Sequence, residues 1–377
     1  MLRIFETGDN HIGLKYADHE QAQTLVDNRI DSFEKMVSMA NKENCDLFCI
    51  TGDLFEKTYA AKKDVKKIID LLSAFNGTVV VLPGNHDYYD PDVQVWQYFT
   101  DLTKDKDNFI LLKEYRPYVF SEGDKEIVFY PALCTSLHSQ PGENNLGWIK
   151  EQKIVPDHTF RIGMAHGAVA GETIDSEGSY FLMSREELNS IPVDVWLIGH
   201  THVPSPSDLP ADSYEKTDER IFNAGTHVQT DVSNNTEGDC FIIEIEDGNG
   251  QKSIRAKKFV SGTIRFFRKN VTVTPGSLKE SILNATSDLK DQSVVDLIIN
   301  GTASDEEYAE RDNIIDKCLS RFIEGTFNTH NLSRQITEKM IDEEFPETSF
   351  TSGFLKELLV DPNEVQMAYD LVKTIRR

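Results

Sequence analysis

Apolar positions in the first third of the chain alternate between two spacings. "LRIFETG" reads as a strand, "QAQTLVDNRIDSFEKMVSMANKE" repeats apolar residues three and four apart, and "CDLFCITGD" is a short continuous apolar run. "AKKDVKKIIDLLSAF" returns to helical spacing, and "GTVVVLPGN" is another run of strand length. This β-α-β-α-β order predicts a parallel or mixed sheet with helices on its faces. The chain then turns strand-rich, through "YVFSEGDKEIVFYPAL", "FRIGMAHG", "VDVWLIGHTH", "RIFNAGT" and "DCFIIEIED". Both halves fit an α/β fold built as a two-sheet sandwich with its helices outside.

The pattern shortens near residue 270, where strand and helix again alternate in small elements. This predicts a main domain over residues 1–268 and a small α/β domain over 269–340. The tail, 341–377, reads as two short amphipathic helices joined near Asp361-Pro362. Phe354, Leu355, Leu358 and Leu359 form one apolar face; Val365, Ala368, Tyr369, Leu371, Val372 and Ile375 form another. Such faces either pack on their own domain or seat a partner helix.

Composition narrows the picture. Of 377 residues, 39% are hydrophobic and 10% aromatic, enough for a sizeable core and against global disorder. The net charge of −24 repels nucleic acid and anionic membranes over most of the surface, so a polyanionic substrate would need local cations. Five cysteines, an odd number, match no disulfide or zinc spacing and indicate a reducing compartment. The first residues show no long apolar leader, and no run reaches the ~18 apolar residues of a membrane span. A cytoplasmic protein without membrane attachment is expected.

Five apolar runs end in similar polar loops. The first ends in Gly8-Asp9-Asn10-His11, the second in Gly52-Asp53 and the third in Gly84-Asn85-His86-Asp87. "IGMAHG" delivers His166, and "WLIGHTH" delivers His200 and His202. Loops at the carboxyl ends of strands in an open α/β sheet converge. Singly, each is an ordinary turn or polar residue; five in order point to a metal centre. Carboxylate, imidazole and amide oxygen together suit Mn²⁺, Fe²⁺ or Zn²⁺. Seven ligands exceed one site, and a shared carboxylate would give two ions ~3.5–4 Å apart, the arrangement for displacement at phosphorus. His227, after a late strand, lies in the same sheet region.

The set Asp9-x-His11, Gly52-Asp53, Gly84-Asn85-His86-Asp87, His166 and Gly199-His200-x-His202 resembles the calcineurin-like metallophosphoesterases. That resemblance implies a first metal held by Asp9, His11, Asp53 and His202. It implies a second held by Asp53, Asn85, His166 and His200, with Asp53 as bridge. His86 would be the catalytic histidine, which is not a ligand. Glu56, three residues past Asp53, would support the site or be a solvated loop acid; Asp87 would orient its own loop. "GDNHIG", "GDLFEK" and "GNHD" resemble the SbcD-type DNA-repair exonucleases, including YhaO-like members, and "SVVDLIINGTAS" is similar to the central strand of their capping domain. The implied activity is Mn²⁺-dependent hydrolysis of DNA at ends or single strands. The implied partners are DNA, an SbcC-like ATPase on the C-terminal helices, and a second copy in a homodimer. Cyclic-nucleotide phosphodiesterases share the ligands, so a small-molecule phosphodiesterase is the alternative; a non-catalytic scaffold would lack ligands, and none is missing. Residues 251–279 contain no acid and include Lys257, Lys258, Arg265 and Arg268. These are candidate phosphate contacts or the solvated face of a strand pair.

Overall fold

The computed structural model describes residues 1–152, 154, 159–172, 175, 177–248 and 251–375. They form two compact units, Met1–Ile264 and Arg265–Arg377. The first unit runs β1 (Leu2–Thr7), α1 (Ala22–Lys42), β2 (Leu47–Thr51), α2 (Lys62–Leu72), β3 (Thr78–Leu82), α3 (Gln94–Thr103) and β4 (Phe109–Leu111). It continues with β5 (Tyr118–Glu122), β6 (Lys125–Ala132), α4 (Gly147–Lys150), β7 (Phe160–His166), α5 (Arg185–Ser190) and β8 (Val195–Gly199). It closes with β9 (Glu215–Thr217), β10 (Ile221–Phe222), β11 (Asp239–Gly248) and β12 (Gln251–Val260).

Two mixed sheets form the expected sandwich, one ordered β4-β3-β2-β1-β11-β12-β9 and the other β10-β8-β7-β6-β5. The strands β1 to β4 are mutually parallel, as are β6, β7, β8 and β10. Side chains alternate between two apolar layers. Leu2, Ile4, Leu47, Cys49, Val80 and Leu82 meet Phe129, Ile162, Met164 and Leu197 between the sheets. Phe5, Phe48, Ile50, Val79 and Val81 face α1, α2 and α3 through Phe33, Met36, Val65, Ile68 and Phe99. Burial on both faces explains why β2 and β3 read as continuous apolar runs. All five cysteines are buried and unpaired.

The second unit has a three-stranded parallel sheet, β13 (Arg265–Val273), β14 (Ser293–Ala303) and β15 (Glu324–Arg334), with β14 central. Between its strands come α6 (Leu278–Ala285), α7 (Asp305–Ala309) and α8 (Arg311–Leu319). Ile282 of α6 and Ile315 of α8 join Val271, Val295 and Leu297 in its core. Then α9 (Glu338–Glu344), α10 (Phe350–Glu357) and α11 (Pro362–Ile375) gather around Met340, Ile341, Phe345, Leu355, Val365 and Tyr369. The tail faces therefore divide. Leu355, Val365 and Tyr369 are buried, whereas Phe350, Phe354, Val360, Met367, Leu371 and Ile375 are exposed. No helix among the described residues is long and apolar enough to cross a membrane.

A buried carboxyl interrupts the inter-sheet layer. Glu6 follows Leu2 and Ile4 on the inner face of β1, is fully buried, and its carboxyl oxygens make no hydrogen bond of good geometry among the described residues. Burial pushes its pKa well above the usual carboxylate range, and the amides of Ile198 and Ala224 offset this only in part. A carboxyl held neutral by the fold costs stability as pH rises past its unfolded value toward its folded one. Glu6→Gln removes that cost. Its thermal midpoint should exceed the wild type's by about 3 °C at pH 8, with the gain shrinking toward pH 5. Equal midpoints across that range would refute the assignment.

Candidate metal centre

All five loops leave carboxyl ends of parallel strands. Asp9 and His11 follow β1, Asp53 and Glu56 follow β2, and Asn85, His86 and Asp87 follow β3. His166 ends β7, while His200 and His202 follow β8. The loops are stitched by backbone bonds: Asp9 N–H to Gly52 O at 3.1 Å, His11 N–H to Asp53 O at 2.9 Å and Glu56 N–H to Ile12 O at 3.0 Å. The His200 amide donates to both carboxylate oxygens of Asp9, at 3.0 and 2.9 Å, which ties the second sheet to the first.

The backbone is bent hard to do this. Asp9 (φ 47°), His11 (45°), Asp53 (49°), His200 (109°) and His202 (55°) all have left-handed φ. Such residues cost free energy and cluster at functional sites. Close approach matters as much at Gly84, where a Cβ would overlap Asp53 Oδ1 and its backbone nitrogen.

Donor atoms converge. Three groups have every donor within 4.8 Å of the others: Asp9, His11 and His202; His11, Asp53 and His86; and Asp9, Asp53 and His166. His11 Nε2 lies 3.0 Å from His202 Nε2. Asn85 Oδ1 lies 3.0 Å from His166 Nε2 and 3.2 Å from His200 Nδ1. Asp53 Oδ2 stands 3.3 Å from His166 Nε2 and 3.8 Å from His11 Nε2. All seven candidate ligands thus meet.

Neighbours aim these groups. His166 Nδ1 donates to the Thr51 carbonyl at 2.8 Å, leaving Nε2 toward the centre. His11 Nδ1 faces Glu56 Oε2 at 3.0 Å, so its Nε2 also points inward. Hydrogen bonding at the second nitrogen is how proteins orient imidazole ligands. Asp87 accepts from Gly84 N–H at 2.7 Å and Phe55 N–H at 2.9 Å, clamping its loop to the neighbouring one. His86 N–H donates to Asp53 Oδ1 at 2.8 Å, and its Nδ1 lies 3.2 Å from the Glu56 carbonyl.

Electrostatics sort the protonation states. Burial works to raise Asp53, but the charges of His166 and His11 hold it far below the usual carboxylate range. Burial and the charge of His166 push His200 down to about 4, and burial with His11 lowers His202. Burial and Asp53 raise Asp87 to about 7. Burial works to lower His166 and His11, but Asp53 raises the first to about 9 and Glu56 raises the second, so these two imidazoles carry protons that a divalent cation would displace on binding. The donor set fits such ions.

Other members were less visible in the sequence. Arg29, on α1, is buried and donates from Nη1 to the Asn10 carbonyl at 2.6 Å and from Nη2 to the Tyr16 hydroxyl at 2.8 Å. It sits on the buried stripe between Leu25 and Phe33, and a charge on an apolar stripe is the signal that finds it. His227 is buried: its Nε2 donates to the Arg29 carbonyl at 2.8 Å and its Nδ1 accepts from Asn10 at 3.1 Å. Burial and Arg29 lower it to about 3, so it is a neutral brace under the first loop. Three of the basic candidates pair with acids. Lys257 pairs with Glu43 at 2.9 Å, Lys258 with Asp239 at 3.6 Å and Arg268 with Asp296 at 2.7 Å, while the Arg265 guanidinium lies 5.7 Å from the Phe267 ring.

Carboxylate oxygens, an amide oxygen and imidazole nitrogens gathered this tightly suit metal-assisted attack on an anionic ester, and the molecule is a metal-dependent phosphoesterase. The family model of the calcineurin-like phosphoesterases matches residues 2–204, more than half of the chain, and the chain belongs to that family. Membership and the donor groups together point to a binuclear divalent-metal site. The double-strand break repair protein MRE11 of Encephalitozoon cuniculi (strain GB-M1) is 30% identical over 74 residues, 20% of this chain. That match spans 12% of the relative's length. Among solved structures, TT1561 of Thermus thermophilus aligns with TM-score 0.40 and 12% identity, over 64% of this chain and 93% of that one. Purple acid phosphatase PPD1 from yellow lupin (Lupinus luteus) seeds aligns with TM-score 0.38 and 14% identity, over 68% and 53%.

Gly84→Ala tests the packing. The methyl has to displace Asp53, so stability should fall by about 1–3 kcal/mol in urea unfolding and Mn²⁺ affinity should drop. Wild-type values for both would show that the loops are looser than described.

Proposed function

We propose that this phosphoesterase is a Mn²⁺-dependent phosphodiesterase acting on DNA. Asp9, His11, Asp53 and His202 would hold one cation, and Asp53, Asn85, His166 and His200 the other. Bound there, the cations would lower the pKa of a water and neutralise the phosphoryl oxygens. The observation that carries the diesterase reading is the meeting of all seven side chains at the strand ends. DNA as substrate is supported by the likeness to MRE11 over 74 residues.

His86 is the general acid in this reading. Its Nδ1 faces the Glu56 carbonyl, an acceptor that keeps a proton on that nitrogen, so as an imidazolium it would give its Nε2 proton to the leaving oxygen and end as the neutral Nδ1–H tautomer. Glu56 positions His11 through Nδ1, and Asp87 keeps the loop of Asn85 and His86 in place. The exposed apolar residues of α10 and α11 support a partner seat there, an SbcC-like ATPase in this reading.

Two measurements check the roles. His86→Ala should lose about 10²–10⁴-fold in turnover of bis-p-nitrophenyl phosphate while its bound metal, measured by elemental analysis, stays at the wild-type level. Glu56→Ala should weaken Mn²⁺ binding about 10–100-fold. The substrate is settled by assaying labelled single- and double-stranded DNA beside cyclic dinucleotides, with Mn²⁺ and with chelator. Hydrolysis of the cyclic dinucleotides alone would make it a small-molecule phosphodiesterase.

A further inference from the structure

In a chain of net charge −24, a cation free of carboxylate partners is informative. The basic run of β12 and β13 offers few. Lys252, Arg255, Lys257, Lys258, Arg268 and Lys269 are each paired with Asp or Glu.

A different set lies beside the first metal loop. Gly13, Leu14 and Lys15, immediately past His11, line a cleft of about 610 Å³ with Lys63 and Lys67 of α2. The α2 lysines divide by face. Lys62 and Lys66 pair with Asp101 and Asp70, whereas Lys63 and Lys67, one turn apart, face the cleft and form no ion pair among the described residues. Lys15 is likewise exposed and, among the described residues, unpaired. Asp27 and Asp64 also line the cleft; Asp27 accepts from Gln23 at 3.0 Å, and neither acid pairs with a described lysine. Glu56 connects this cleft to the centre: a Cβ on Gly13 would sit 3.9 Å from Glu56 Cβ, and Glu56 holds His11.

We propose that the cleft lined by Lys15, Lys63 and Lys67 is the subsite for the phosphates of a single nucleic-acid strand flanking the scissile bond. The inference rests on the reading of the enzyme as a DNA phosphodiesterase. Unpaired lysines along one cleft track a phosphate backbone without reading its sequence. Their field is local, so it acts where the rest of the molecule repels the same ligand.

The test is binding of fluorescent oligothymidylate to the full chain in chelator, over a salt series. The triple variant Lys15→Gln, Lys63→Gln, Lys67→Gln should weaken binding about tenfold at about 0.1 M salt, and flatten the slope of log affinity against log salt by about 2. The variant Lys42→Gln, Lys106→Gln, Lys216→Gln makes the same charge change at lysines outside the cleft and should keep the wild-type slope. An unchanged slope in the cleft variant, an equal loss in the control, or no binding by the wild type would each overturn the proposal. Cleavage of the same oligonucleotide with Mn²⁺ is scored separately. Binding without cleavage removes the nuclease reading, and the slope still decides the cleft.

Discussion

Asp53 is where the architecture closes on itself. One carboxylate oxygen takes the His86 amide, and the other faces His166 and His11. Its own backbone is left-handed, and the space over it exists because residue 84 has no side chain. A buried negative charge is tolerable only when opposite charge or a cation compensates it. Strands from both sheets must therefore end within a few ångströms of one carboxylate, and sheet order, loop length and glycine placement all serve that requirement.

The sandwich supplies the rigidity. Parallel β1, β2 and β3, buried on both faces, fix three loops on one side; β7 and β8 fix two on the other. The bond from the His200 amide to Asp9 then locks the sheets in register at the site itself. Buried Arg29 and neutral His227 hold the first loop from below. The centre is shaped less by its ligands than by the groups that leave them no other orientation.

Much of this was legible in the chain. Helical spacing in "QAQTLVDNRIDSFEKMVSMANKE" gave α1 nearly to its ends, and the runs before Asp53 and Asn85 gave β2 and β3, because local periodicity reports local structure directly. Polar residues at strand ends gave the site for the same reason: a parallel sheet delivers its loops to one edge. Long-range pairing was not legible. Nothing near β1 says that β11 lies antiparallel beside it, and nothing near Lys257 says that Glu43 will neutralise it. Charge runs in sequence show where cations are abundant, whereas free cations depend on partners contributed from far along the chain.

The left-handed backbone at five of the seven candidate ligands restricts which substitutions evolution can sample there. Exchange among Asn, Asp, His and Gly keeps a tolerable conformation, whereas a β-branched or bulky replacement adds a steric penalty to any loss of donor chemistry. Drift in ion preference should therefore travel through short polar side chains, and a mutagenesis library biased to those four types would retain folded variants far more often than a random one.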